Sequence, residues 1–487
     1  MTSVHNRTHH QVTYAVLAVA VAAFAMLQSM VVPVLPTLQS ELGTSQTNVT
    51  WVLTAYLLSA SIFTPIVGRL GDMYGKKRML VIALAALATG SLLAALASAL
   101  PVMIVARVVQ GIAGGTLPLS FGIIRDEFPR AKVSGAIGLT AALLSVGSGF
   151  GIVLAGSIVD VLSYHWLFWI PLIITSLAGV AAWALIPESP IRTRGRINWL
   201  TAVLLSSWLV ALLLAVSQSG SWGWGSTKVI SLLVAATAVA GVWIIVEARS
   251  ANPLIDMTMM RIRGVWAANL IALLMGFGIF ASFGFIPQFL QSPTSSGYGF
   301  GATVTESGLM LLPNAVAMFA VGLFSSSLAA RLGSKKLLVI GSLTAAASHF
   351  MMAFVHSSEM EIYLATGVSG IGFGLVFSAM ANVVVASVTP QQTGVASGMN
   401  ANIRTIGGSF GAACMASVVA IGASPTGLPV ESGYTYGFAM LGGAAVLAAV
   451  AALFVPAVKG TADTGLIHAA DAPHNELVVA PRGNSVD

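Results

Sequence analysis

The residues able to do chemistry in this chain are few, and most stand inside apolar runs. Arg107 lies in the run RVVQGIAGG, with Gln110 and Gly111 three and four residues further on, so a helix there puts all three on one face. A guanidinium inside a membrane span is costly unless it meets a cavity or a partner, and by default it marks function. Asp72 is a lone acid in GRLGDMYGKKRML, beside Arg69, Lys76, Lys77 and Arg78. It can pair with a cation or sit at a helix N-terminus, where the macrodipole favours negative charge. His349 stands in a later apolar run, where an imidazole either carries a proton or makes one packing hydrogen bond. There is no HExxH, no GxSxG and no nucleotide-binding loop; GDMYGKKR has the wrong spacing, and no Ser or Thr follows its lysine. Enzyme chemistry and ATP-driven pumping are excluded on that basis. His5, His9 and His10 suit only adventitious metal binding, so neither metal nor cofactor is expected.

These side chains need elements to hold them, and composition says what kind. Charged residues make up 8% of the chain, apolar residues 56%, and mean hydropathy is +0.89. A soluble protein carries about a quarter charged residues, so the solvent for this chain is a bilayer. Fourteen apolar runs are long enough to cross about 30 Å of hydrocarbon as helices. Strands are excluded, because a spanning barrel needs short alternating segments and these runs are uniformly apolar.

Lys and Arg placement orients the spans. With the N-terminus inside, all but three of the 22 basic residues fall on the cytoplasmic side; the exceptions are Lys228, Arg107 and Arg404. The opposite loops carry Glu41, Asp160, Glu306, Glu359, Glu361 and Glu431. The reading is a multi-pass protein of the cell membrane with both termini cytoplasmic. The net charge of +6 is therefore a topology signal and requires no nucleic acid. Cys414, the single cysteine, excludes a disulfide framework.

The charged loop recurs. RLGSKKLLVIG at 331–341 follows the tenth span as residues 69–80 follow the second, so Gly75 matches Gly333. GSGFG at 147–151 is echoed by GGSFG at 407–411 at nearly the same offset. Duplication of a six-helix unit follows, with two extra helices between the halves. The expected organisation is an N-terminal tail over 1–12, a six-helix bundle over 13–190, two linking helices over 191–250, a second bundle over 251–460 and a disordered tail over 461–487. Two such bundles about an axis normal to the membrane make a rocker with a site between them.

GRLGDMYGKKR at 68–78 resembles the signature loop between spans 2 and 3 of the major facilitator superfamily, the worked case of that rocking arrangement. RVVQGIAGG at 107–115 resembles a second motif of the family, and GSGFGIVLAG at 147–156 the glycine-rich element of its antiporters. Fourteen spans match the drug:proton antiporter branch, and the likeness runs to about residue 458. The resemblance implies that Asp72 latches the bundles on the cytoplasmic side and that Arg107 serves proton transfer; Arg107 is expected to face a water-accessible gap between the two halves, and Arg78 is a further candidate transport residue. Gly68, Gly71 and Gly75 then allow a tight turn and close helix approach.

The chain departs from the branch in two places. In MLQSMVVPVLP, Gln28 takes the place of the family's span 1 aspartate, and an amide cannot titrate. The span 5 element lacks its proline, although Gly147, Gly149, Gly151 and Gly156 still let that helix press on another across the bundle interface. Arg404, in NANIRTIGG, is read as snorkelling to the nearby boundary. Arg404, Asn402, Met30 and His349 are the candidate cavity residues. Two functions fit: export of amphipathic organic molecules in exchange for protons, or movement of one metabolite without protons. Either way the partners are a small-molecule substrate and the bilayer, and a monomer is expected.

Overall fold

The structure, a computed structural model, describes residues 2–44, 46–49, 51–189, 198–250, 253–421 and 429–456. Arg192, Arg194, Arg196, Lys459 and Arg482, and the tail over 461–487, lie outside the described residues. So do the side chains of His5, Arg7, His9 and Asp160, and the expected bundle boundaries at 190/191 and 250/251.

Among the described residues, fourteen long helices follow one another. The first six are α1 (Thr2–Met30), α2 (Trp51–Tyr74), α3 (Lys76–Ala95), α4 (Leu100–Glu127), α5 (Arg130–Val161) and α6 (Trp166–Leu185). Two more, α7 (Trp199–Trp222) and α8 (Thr227–Arg249), precede the last six. Those are α9 (Arg263–Gln291), α10 (Val304–Leu332), α11 (Ser334–Phe354), α12 (Glu359–Ser387), α13 (Thr393–Val419) and α14 (Glu431–Ala452). Thirteen of them are apolar enough to cross a membrane by length and composition. The remaining one, α13, is as long but carries Asn400, Asn402, Arg404 and Thr405. It is shielded by protein instead, packing on α9, α2 and α4. The helix α1 begins at Thr2, and its apolar, span-length part runs over His10–Met30.

The duplication is visible in the packing. In the first half α1 meets α5 and α6, α2 meets α4, and α3 meets α4 and α6. In the second half the same pairs recur eight helices later: α9 with α13 and α14, α10 with α12, and α11 with α12 and α14. The turns repeat as well. Gly75 precedes α3 with φ of 117°, and Gly333 precedes α11 with φ of 77°. A side chain at such a positive φ would clash with its own backbone, so glycine is required at both turns. The chain is thus an all-α multi-pass membrane protein of two pseudo-symmetric six-helix bundles. Of the linking pair, α7 packs on both α2 and α13 and straddles the seam between bundles.

Two of the outer-loop acids have local work. Glu306 and Glu361 complete capping boxes with Thr303 and Ser358, satisfying first-turn N–H groups of α10 and α12.

Candidate functional site

The two bundles meet along α5–α10 and α2–α13, with α4 against α13 and α5 against α12. Small residues set the closeness of approach. A Cβ at Gly149 would lie 2.3 Å from Ala315 Cβ, and one at Gly156 would lie 2.8 Å from Thr305 Oγ1, both on α10. Gly147 and Gly151 do not face the seam. They are four residues apart, share one helix face and press on Ala22, Ala25, Met26 and Ser29 of α1 within the first bundle. The expectation that all four glycines serve the bundle interface is corrected to two of them.

At the end of the seam that carries the basic loops, the bundles are latched. Gly68 of α2 touches the backbone of Gly394; a Cβ at either would fall 2.7 Å from the other's carbonyl oxygen. That contact brings the Asp72 carboxylate to the first turn of α13, where its Oδ2 accepts a hydrogen bond of 3.2 Å from the Val395 amide. Asp72 is in the last turn of its own helix, so the helix N-terminus it caps belongs to the other bundle. One carboxylate satisfies an orphan N–H and meets the positive end of the α13 dipole.

Behind Asp72 lies a buried charge cluster. Lys76 Nζ sits 2.6 Å from Asp126 Oδ2 and 3.8 Å from Asp72 Oδ1, and none of these three side chains is exposed. Ser189 donates its hydroxyl hydrogen to Asp126 as well. Arg125 makes the second crossing: its guanidinium donates to Thr393 Oγ1 and to the Val388 carbonyl, each at 2.7 Å. Sequence reasoning took Arg125 only as a topology residue and passed over Asp126. The signal was present in IIRDE, an acid beside a base at the end of span 4. Arg78 stands apart from the latch. Its side chain is 68% exposed and lies 3.5 Å from Glu188. Glu188 also accepts from the Lys77 amide and covers Gly75, so this group pins α3 to the end of α6.

Arg107 is the main correction. The expected place for it was a gap between the bundles; instead it is fully buried inside the first bundle. Its Nε donates to the Val52 carbonyl at 3.0 Å, and its Nη1 donates to Gln110 Oε1 at 2.7 Å. The guanidinium carbon lies 4.4 Å from the centre of the Tyr56 ring, and Gln110 in turn donates to Ser91 Oγ. These partners all belong to α2, α3 and α4. The glycines of the same motif serve that packing: Gly111, Gly114 and Gly115 touch Ser59, Ala60, Thr64 and Val67 of α2. Gln28 is half-buried and is not a partner of Arg107.

Three of the four expected cavity residues do not line the cavity described next. Met30 is buried among Val34, Leu38, Val52 and Met103 of the first bundle. His349 is buried in the second, with Nδ1 2.6 Å from the Ala345 carbonyl, Nε2 2.9 Å from Ser282 Oγ, and Phe373 edge-on. Asn402 is buried and absent from the lining described next.

Arg404 alone is placed as expected of a cavity residue, eleven residues and about 16 Å into α13. Beside it, between the bundles and inward of the latch, is a cavity of about 20 Å³. Leu117 and Phe121 of α4, Ala141 and Leu144 of α5, Phe377 and Met380 of α12, and Ser397, Asn400 and Arg404 of α13 line it. That space holds about one water, so in this conformation the seam is closed over a mostly apolar wall behind the latch.

Known proteins agree with this architecture. The chain is 26% identical over 416 residues to an uncharacterized MFS-type transporter of Mycobacterium tuberculosis. That match covers 82% of this chain but only 58% of the relative, so the chain spans little more than half of that longer protein. It is 27% identical over 410 residues to the tetracenomycin C resistance and export protein of Streptomyces glaucescens, covering 82% of this chain and 74% of that one. The crystal structure of the human organic anion transporter MFSD10 (TETRAN) superposes with a TM-score of 0.65 at 16% identity, over 92% of this chain and 99% of the other, a likeness of fold. The model of the Major Facilitator Superfamily matches residues 17–412 and again 268–474. A signature loop that joins two duplicated bundles and a family model that spans most of the sequence lead to one conclusion: the chain belongs to the major facilitator superfamily.

Proposed function

We propose that the protein is a secondary active transporter that exports amphipathic small organic molecules by alternating access, in exchange for protons. It does so as a monomer in the plasma membrane with both termini cytoplasmic. It moves its substrate unchanged and is not an enzyme. The observation that carries this reading is the seam itself: Asp72 and Arg125 join the bundles at the basic end, inward of which the seam wall is apolar with a few polar side chains. The positive-inside rule puts that end in the cytoplasm, so this conformation is sealed toward the cell interior. The Streptomyces relative, by its name an exporter of tetracenomycin C, supports the direction and the substrate class.

A specific observation favours a second reading, in which transport proceeds without protons. No carboxylate stands among the residues that line the cavity, and Gln28 occupies the place of the span 1 acid. Purified protein in liposomes, with and without an imposed pH gradient, separates the two. Uphill substrate movement driven by the gradient supports antiport; identical rates in its presence and absence support the uncoupled reading. Failure to move any amphipathic substrate under either condition overturns both.

A further inference from the structure

We infer that the cavity between the bundles recognises an organic anion, with the Arg404 guanidinium as the group that binds its carboxylate or an equivalent acidic oxygen pair. The inference rests on the transport reading above and names its substrate class. Arg404 is placed by backbone packing. Gly276 of α9 presses on the backbone of Arg404, where a Cβ would come within 2.1 Å of the carbonyl oxygen. The Arg404 side chain leaves on the other face and lines the cavity shared with α4, α5 and α12.

What surrounds that guanidinium decides its use. Among the described residues it has no hydrogen-bond acceptor and no carboxylate partner; the guanidinium carbon lies 5.2 Å from the centre of the Phe377 ring. A cation over an aromatic face keeps its in-plane N–H donors free, and Arg presents them in a fork that matches a carboxylate. One turn and two turns earlier on α13, Asn400 and Ser397 also line the cavity, and the buried Ser397 hydroxyl has no partner. Asn400 already donates to the Asn269 carbonyl oxygen of the side chain, at 2.9 Å. The rest of the wall, including Leu117, Phe121 and Leu144, is apolar. The space holds only about one water while the seam is closed; once the bundles part, a flat hydrophobic body with one acidic group is the ligand that such a wall complements. An organic cation would face an uncompensated positive charge, since no acid lines the cavity.

The test uses purified full-length protein in nanodiscs of zwitterionic lipid and three matched probes: 2-naphthoate, 2-naphthamide and 2-naphthylmethylammonium. Binding is measured by calorimetry against empty nanodiscs. A charge-assisted bidentate pair should make 2-naphthoate bind about tenfold or more tightly than the neutral amide, with the ammonium weakest. In Arg404→Gln the preference for the anion should vanish, with far-ultraviolet circular dichroism and the gel-filtration profile of the nanodiscs reporting an intact fold. In Arg404→Lys the charge remains without the fork, so a reduced preference should survive. Equal affinity of the wild type for all three probes, no binding of 2-naphthoate, or an anion preference that persists in Arg404→Gln overturns the inference. Efflux of the amide or the ammonium without preference for the anion would leave the export reading standing while this one falls. Protein that moves none of the three in liposomes, yet binds 2-naphthoate through Arg404, would overturn the export reading alone.

Discussion

Two arginines stand within the helix bundles, and their surroundings set them to different tasks. Arg107 is enclosed by one bundle and meets Val52, Gln110 and the Tyr56 ring. Arg404 stands on the seam between bundles with an aromatic ring on one side and open donors on the other. The first arginine holds α4 to α2, and both elements move together in any rocking motion. The second lies on the seam, so any rocking of one bundle against the other would change its neighbours. A charge inside a membrane protein thus says that something must satisfy it; only the neighbours say whether that is protein or substrate.

The contrast can be broken most forcefully at Arg107. Arg107→Ala removes the donors to Val52 and Gln110 and leaves a void beneath Tyr56, which should destabilise the fold by about 3–5 kcal/mol. Chemical unfolding in detergent should show it as a large drop in midpoint and a loss of folded yield. A stable Arg107→Ala protein that binds substrate yet cannot move it would return this arginine to the transport path.

At the seam the expected effects are smaller and appear in turnover. Gly394→Val places side-chain atoms against Gly68 and the Asp72 carboxylate. Overpacking of about 1–3 kcal/mol would disfavour the latched state and slow efflux by roughly ten- to hundredfold. Full-speed efflux by that variant would show that the Gly68–Gly394 contact is dispensable. Asp72→Asn keeps the shape but removes the charge that faces the α13 N-terminus, a loss of about 1 kcal/mol. Maximal efflux should fall about fivefold with substrate affinity unchanged; an affinity loss without a rate change would contradict the latch.

Arg78→Gln should do least. An exposed pair with Glu188 contributes under about 1 kcal/mol, so efflux rates and unfolding midpoints should match the wild type. A marked transport defect there would mean that the signature loop acts through its outer bases as well as through Asp72.

Much of this was legible before any coordinates. Apolar run length gave the helices, and the repeated Gly75 and Gly333 turns gave the duplication, because a positive φ leaves a chemical mark in the residue type. Asp72 announced itself as an acid with no topological reason to be there. The helix it caps could not be read, since α13 lies in the other bundle, more than three hundred residues away. Arg125 and Asp126 were overlooked for the same reason: half of what defines them is a turn between α12 and α13 and a lysine on α3.

The chain by itself determined that it would form long helices in a bilayer, which end carries the bases, and that the halves would repeat. These follow from local quantities: hydropathy over a span, charge in a loop, glycine at a turn. Tertiary structure decided which helix faces meet. Helices in lipid are apolar nearly all round, so their periodicity does not single out an inner face as it does in water. That is why Gly149 and Gly156 went to the seam while Gly147 and Gly151 went to α1, and why Arg404, rather than Arg107, came to line the cavity.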